Sequence, residues 1–143
     1  ENLRNGCLLQ LPLRAVFAVG GSSNKMIGSV IQPQLVYQHT FSSWSLRYRT
    51  SVMFGSNDYH DYYYSVEAQY ATTERAEFNS GSGYSGFIND ISLSRELKIA
   101  ELRTRFAFFI RYDNLANVEF NRSPLFVSEN VWRGGAAFIW IIK

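Results

Sequence analysis

The 143-residue sequence is poor in several features on which whole classes of protein depend. It contains one cysteine, Cys7, which excludes an internal disulfide and any zinc or iron–sulfur site built from several cysteines. No uninterrupted apolar run reaches the ~18 residues that a transmembrane helix requires. The 14 basic and 12 acidic residues leave a net charge of +2, which is too weak to indicate nucleic-acid binding.

Aromatic and apolar residues, in contrast, are plentiful. Aromatics make up 16% of the chain and apolar residues 46%, so the chain has ample surface to bury and is not disordered. The high aromatic share favours β structure, and the length indicates one domain, residues 1–143. The mean hydropathy of −0.16 suits a soluble protein and equally a membrane β-barrel, whose strands alternate apolar and polar residues.

A period of two residues dominates the chain and predicts β-strands throughout. The clearest case is residues 44–54, where Trp44, Leu46, Tyr48 and further apolar residues alternate with polar ones. Long polar stretches at 71–83 and 114–129 are predicted loops. The seven predicted strands are residues 8–19, 27–38, 44–54, 59–67, 84–95, 101–112 and 130–142.

Two environments produce such alternation: a soluble sheet with its apolar face inside, and an outer-membrane barrel with its apolar face in lipid. Several predicted strands run over 11 or 12 residues, aromatics lie near strand ends, and arginines lie on the polar face. We therefore favour an antiparallel up-and-down transmembrane β-barrel. The arginines predicted to line its lumen are Arg14, Arg47, Arg49, Arg103, Arg105 and Arg111.

These arginines have two functional interpretations, and the sequence leaves both open. They give an open lumen a preference for anionic solutes, or they fill a closed barrel with ion pairs. Asp61, Asp90 and Glu101 are the candidate acidic partners. The odd number of strands is itself informative, because bacterial single-chain barrels have even numbers. Either one strand escapes the pattern, or the chain is a portion of a larger barrel.

The two histidines offer weak candidates for chemistry. His39 lies near the serines at 42–43, which suggests a Ser–His hydrolase only faintly. His60 lies between Asp58 and Asp61, a trio that more often forms hydrogen bonds than a metal site. The neighbouring tyrosines would suit stacking on a sugar or nucleobase, although ordinary packing is the more common role. We predict no catalytic residue, metal or cofactor.

The segment NDYHDYYYSV, residues 57–66, resembles the YHDYYYGV segment of the MipA/OmpV family of outer-membrane proteins. Residues 11–18, LPLRAVFA, resemble a strand of the same family, and similar segments follow in order along nearly the whole chain. Ser65 replaces an expected glycine, and the chain ends in Lys143 where members usually end in an aromatic residue. The family-like motif comprises Tyr59, His60, Asp61, Tyr62, Tyr63 and Tyr64.

The resemblance implies a location in the bacterial cell outer membrane, in contact with outer-membrane lipid. It also implies a non-enzymatic scaffold that joins a murein transglycosylase to a murein synthase in cell-wall remodelling. A porin-like channel for small solutes is the first alternative function. A soluble β-sheet binding protein is the second. Family members are longer than this chain, which agrees with a C-terminal portion of a barrel.

Overall fold

An antiparallel sheet of eight strands forms most of the chain in a computed structural model that describes residues 5–20, 25–99 and 102–141. The sheet runs in the order β1-β4-β5-β6-β7-β8, with β3 pairing β2 and β5. It is not closed within these residues. The strands are β1 (Asn5–Gln10), β2 (Leu13–Ala18), β3 (Lys25–Ile31), β4 (Gln34–Phe41), β5 (Trp44–Gly55), β6 (Gly83–Ile99), β7 (Leu102–Asn114) and β8 (Asn130–Ile141).

Two prolines interrupt strands without shifting their register. Pro12 separates β1 from β2, and Pro33 separates β3 from β4. Across each break the same number of residues is passed on both paired strands, so the register is kept. The pairs β1–β2 and β3–β4 therefore each act as one long strand. A proline has no N–H to donate, but its carbonyl still accepts. The backbone amide of Gln32 donates to the Pro12 carbonyl at 3.0 Å, and the backbone amide of Val52 donates to the Pro33 carbonyl at 3.1 Å.

The connections are sorted by length between the two ends of the sheet. Strands β2, β5 and β7 end at one end of the sheet, here called the loop rim, where the segments after β5 and β7 span 27 and 15 residues. Strands β4 and β6 end at the other end, the turn rim, and two residues separate each of them from the next strand. If residues 59–67 formed a strand, residues 55–58 would lie at the end of the sheet opposite the long loops, as the sequence predicts. That prediction is wrong, because residues 56–82 form a single connection at the loop rim.

The fourth predicted strand, residues 59–67, is wrong because the segment is a helix, α1 (Asn57–Tyr64). Ser56 caps it: its hydroxyl accepts from the Tyr59 amide at 3.3 Å, and Asp58 lies in the first turn, where an acidic side chain favours a helix. Four tyrosines in eight residues give the segment strong β propensity, which the local cap and the packing of α1 override. The other predicted strands correspond to the observed ones, two of them divided at the prolines.

Helix α1 lies close against the sheet because two glycines leave room for it. A Cβ atom at Gly28 would lie 2.5 Å from the Tyr59 nitrogen, and one at Gly55 would lie 2.5 Å from the His60 Nε2. Gly28 also has a φ of +137°, which L side chains rarely adopt. Ser56 secures the start of the helix, since its amide donates to the Ser29 carbonyl at 2.9 Å.

The core lies between the sheet and the segments that cover one of its faces. Val30 and Ile88 of the sheet are almost fully buried, as are Val118 and Phe120 of the loop between β7 and β8. The Tyr64 ring stacks on Phe120 at a centroid distance of 3.6 Å. The opposite face of the sheet has no such cover within the described residues.

Replacing Gly28 with alanine tests the close approach of α1. We expect Gly28→Ala to displace the helix and to make residues 56–82 sensitive to protease, because its Cβ atom meets Tyr59. Gly20→Ala is the matched control, since Gly20 has a similar φ of +142° but no atom within 4 Å of its Cβ position. Backbone strain alone should cost both variants ~1 kcal/mol or more of unfolding free energy. Equal protease sensitivity in the two variants would contradict the packing described here.

Candidate functional site

The two faces of the sheet differ sharply in chemistry. Residues paired directly across antiparallel strands project from the same face. One paired row contains Tyr37, Tyr48, Ile91 and Ile110, and each of the four residues is at least 38% exposed. We call this side the apolar face. The next row contains Val36, Arg49, Asp90, Arg111 and Arg133, and we call that side the polar face.

The apolar face remains exposed from one edge strand of the sheet to the other. Leu9 in β1 is 77% exposed, Phe108 in β7 is 47% exposed and Trp132 in β8 is 69% exposed. Among its polar side chains, the Tyr48 hydroxyl donates to the Asn89 Oδ1 at 2.7 Å, whereas the Thr104 Oγ1 is buried without a hydrogen-bond partner among the described residues. Burying a large apolar side chain gains ~1.5–3 kcal/mol, so this face requires an apolar cover.

Aromatic side chains concentrate at both ends of the apolar face. Near the loop rim, Tyr112 and Trp132 lie with ring centroids 4.6 Å apart. Near the turn rim, Phe106 and Phe138 are 4.9 Å apart, and the Arg95 guanidinium lies 5.4 Å from the Trp44 ring. The loop-rim band comprises Phe54, Tyr84, Tyr112 and Trp132, and the turn-rim band comprises Phe41, Trp44, Phe106, Phe138 and Trp140.

The structure places five of the six predicted arginines on the polar face. Arg14, Arg49 and Arg111 surround a cavity near the loop rim. Arg47 and Arg105 lie nearer the turn rim, where Arg105 is 3.5 Å from Glu96. The side chain of the sixth, Arg103, lies outside the described residues.

Two aspartates organise the arginines around the cavity. Asp90 pairs with Arg49, as the sequence predicts. Asp113, which the sequence does not single out, is buried, accepts from Arg111 at 2.6 Å and forms an ion pair with Arg133 at 3.1 Å. Arg133 was likewise missed, because only the pairing of β7 with β8 places it beside Arg111.

The other two predicted acidic partners do not behave as expected. Asp61 accepts instead from Asn57 and from the Ser65 hydroxyl, so it stabilises α1, and it forms no ion pair with an arginine in the described part of the chain. Glu101 lies outside the described residues. Arg14 has neutral partners within the described chain: it donates to the Gln32 Oε1 and to the Met53 Sδ.

His60 is fully buried beneath α1 and fastens the helix to the sheet. Its Nδ1 lies 2.6 Å from the Gly81 carbonyl, which only accepts, so Nδ1 carries a proton, and its Nε2 lies 2.6 Å from the Ser85 hydroxyl oxygen. The ring also packs edge-on against Phe120 at 5.1 Å. His60 therefore binds neither Asp58 nor Asp61 in a metal-like cluster, and no group of three or more His, Cys, Asp or Glu suited to a metal occurs among the described residues.

Three of the four tyrosines of the family-like motif line the cavity, and one does not. Tyr59, Tyr63 and Tyr64 line the cavity, with Tyr59 and Tyr63 5.1 Å apart in edge contact. Burial raises the pKa of the Tyr59 and Tyr64 hydroxyls, so both remain neutral at physiological pH. Tyr62 is 57% exposed and lies outside the cavity lining.

His39 has no place in the cavity. It lies on β4, where it pairs with Leu46 on the apolar face and stacks with Tyr37 and Phe41. The serines at 42–43 form the two-residue turn that follows β4. No helix in the described part of the chain is both long enough and apolar enough to cross a membrane.

A family model described as MltA-interacting protein MipA matches residues 2–142, nearly the whole chain. The chain belongs to this family. The resemblance seen in the sequence is therefore confirmed, together with the antiparallel all-β fold. No curated protein and no solved structure matched the chain. In this MipA-family chain the family-like motif forms α1, which packs on the polar face.

Substitutions at His60 and Ser85 test how α1 is fastened. Ser85→Ala leaves the buried His60 Nε2 without its hydrogen-bond partner, and we expect a loss of ~1–3 kcal/mol in unfolding free energy. His60→Ala removes both hydrogen bonds and should cost more, with early cleavage within residues 56–82. The measurements are urea unfolding and limited proteolysis in detergent micelles.

His39→Ala is the control, because His39 is half-exposed and makes only ring contacts among the described residues. We expect a change within ~0.5 kcal/mol for this variant. A His60→Ala protein as stable and protease-resistant as His39→Ala would contradict the anchoring role.

Proposed function

We propose that the chain is part of an outer-membrane β-barrel that serves as a non-enzymatic scaffold for murein-remodelling enzymes. The observation that carries the proposal is the exposed apolar face, which lies opposite a polar face covered by α1 and the loop after β7. Soluble monomers rarely expose contiguous apolar patches larger than ~300–600 Å². Here exposed apolar side chains extend across every strand from β1 to β8, which argues against the soluble alternative.

The spacing of the two aromatic bands supports a lipid environment. Ten residues separate Trp44 from Phe54 along β5. At ~3.3 Å per residue this is ~33 Å, and a strand tilt of ~40° reduces it to ~25 Å, the height of the apolar band of outer-membrane barrels. Aromatic side chains concentrate at both membrane–water interfaces of such barrels. The sorting of connections into a loop rim and a turn rim also follows their design.

The unpaired edges of the sheet support the view that these strands are only part of the barrel. On the described residues, β8 pairs with β7 alone, and β1 pairs with β4 alone. In lipid every backbone polar group must find a partner, so an open edge is not tolerated there. Further strands that join β1–β2 to β8 would satisfy both edges.

The family description supplies the proposed partner. Its printed name refers to interaction with MltA, a murein transglycosylase, and we extend that interaction to this chain. The two-residue turns then face the periplasm, as they do in outer-membrane barrels, where a murein enzyme can reach them. A murein synthase is the second proposed partner.

Two adjacent alanines in the middle of β8 give a matched test of membrane orientation. Ala136 pairs with Phe108 on the apolar face, and Ala137 pairs with Ala107 on the polar face. We expect Ala136→Arg to cost ~2–4 kcal/mol of unfolding free energy in lipid vesicles, because it places a charge among acyl chains. Ala137→Arg should cost less than ~1 kcal/mol. Urea unfolding and recovery in the outer-membrane fraction provide the measurements.

Equal costs for the two variants, or a greater cost for Ala137→Arg, would reverse the assignment of the faces. The proposal would also fail if the protein remained in the soluble fraction without detergent.

Binding and conductance measurements separate the scaffold from the channel. We expect the immobilised protein to bind purified MltA saturably, with a Kd of ~10 µM or tighter, or ~7 kcal/mol. We expect no steady unitary currents in planar bilayers, because α1 and Phe120 occupy the polar face. Absence of MltA binding at ten times that concentration would overturn the scaffold function. Regular current steps would favour the porin-like alternative.

A further inference from the structure

The cavity on the polar face has the size and composition of a small-molecule site. Its volume is about 680 Å³, within the ~300–1,000 Å³ typical of ligand sites. The floor is the sheet, which contributes arginines, and the cover is α1, which contributes tyrosines. From this arrangement we infer that the cavity binds an anionic sugar, one that carries a carboxylate or phosphate on its ring.

The first argument is an excess of positive charge. Four guanidinium groups line the cavity: Arg14, Arg49, Arg111 and Arg133. Two carboxylates neutralise part of this charge, Asp90 on Arg49, and Asp113 between Arg111 and Arg133. Two positive charges remain, and Arg14 and Arg133 are both exposed. A cleft lined by charges of one sign raises the local concentration of oppositely charged ligands.

The second argument is that neutral groups hold Arg14 in place. The Arg14 guanidinium donates to the Gln32 Oε1, and the Gln32 amide nitrogen donates to the Ser51 hydroxyl at 2.9 Å. Gln32 is only 6% exposed and Ser51 only 3% exposed, so both are fixed by the core of the sheet. This network orients Arg14 without cancelling its charge, which leaves its remaining donors available to a ligand anion.

The third argument is the aromatic cover. Tyr59, Tyr63 and Tyr64 line the side of the cavity formed by α1, and one face of the Tyr64 ring stacks on Phe120. Aromatic rings offer an apolar surface for the C–H face of a sugar, and the neutral hydroxyls hydrogen-bond to its hydroxyl groups. Inorganic phosphate would use the arginines alone. The combination therefore favours a ring that carries a charge over either a free anion or a neutral sugar.

The test uses the protein in detergent micelles with three probes: glucuronate, glucose and inorganic phosphate. Titration calorimetry and saturation-transfer NMR measure the binding. We expect saturable glucuronate binding that is at least ~10-fold tighter than that of either other probe, or ~1.4 kcal/mol. Raising the salt concentration should weaken it, because the attraction is electrostatic.

Arg14→Gln should weaken glucuronate binding at least ~10-fold, whereas Arg47→Gln should change it less than ~2-fold. Both arginines lie on the polar face, but Arg47 is outside the cavity. Tyr63→Ala should remove the preference for glucuronate over phosphate, and it is a mild change because Tyr63 is 46% exposed. A difference in gel mobility between unheated and heated samples verifies that each variant is folded.

Three results would overturn the inference: no saturable glucuronate binding, equal binding of glucose or phosphate, or equal effects of Arg14→Gln and Arg47→Gln. None of them bears on membrane insertion or MltA binding, so the inference and the proposed function can fail independently.

Discussion

The strict alternation of side chains along paired strands is the constraint from which the other features follow. A strand places successive residues on opposite faces, and antiparallel pairing extends each choice across the whole sheet. Tyr48 and Arg49 are neighbours in sequence, yet they belong to rows with opposite chemistry on four or more strands. Each face therefore requires its own surroundings, apolar for one and hydrogen-bonding for the other.

The polar face meets its requirement largely within the chain itself. Helix α1 and the loop after β7 bring His60 and Phe120 onto the sheet, and the buried Asp113 compensates two arginines. The close approach depends on the absence of side chains at Gly28 and Gly55. What this cover leaves unfilled is the cavity, whose charge comes from the sheet and whose aromatic wall comes from the helix. The two halves of the candidate site thus come from distant parts of the sequence.

Periodicity was sufficient to predict most strands and the face on which five of the six predicted arginines lie, because both depend on residue spacing alone. It failed at residues 59–64, where the cap at Ser56 and burial of His60 outweigh the β propensity of the tyrosines. It could not find the cavity either. Gln32 becomes a neighbour of Arg14, and Arg133 of Arg111, only through strand pairing, which a single sequence does not reveal. Asp113 lies two residues after Arg111 on the same strand, but it was missed because the predicted strand ends at residue 112. Pro12 and Pro33 lie within predicted strands, and periodicity alone does not show that they break those strands while preserving the register.

The two rims differ in how well their connections tolerate a change in length. A longer connection at the loop rim costs little, since each doubling of loop length adds only ~0.6 kcal/mol of closure entropy. The two residues between Phe41 and Trp44 leave no such freedom. If one residue were inserted there and the pairing of β5 shifted by one position, every following side chain of β5 would project from the opposite face. Its arginines would then lie on the apolar side. Variation in length among related chains should therefore accumulate at one rim, while the other keeps its spacing.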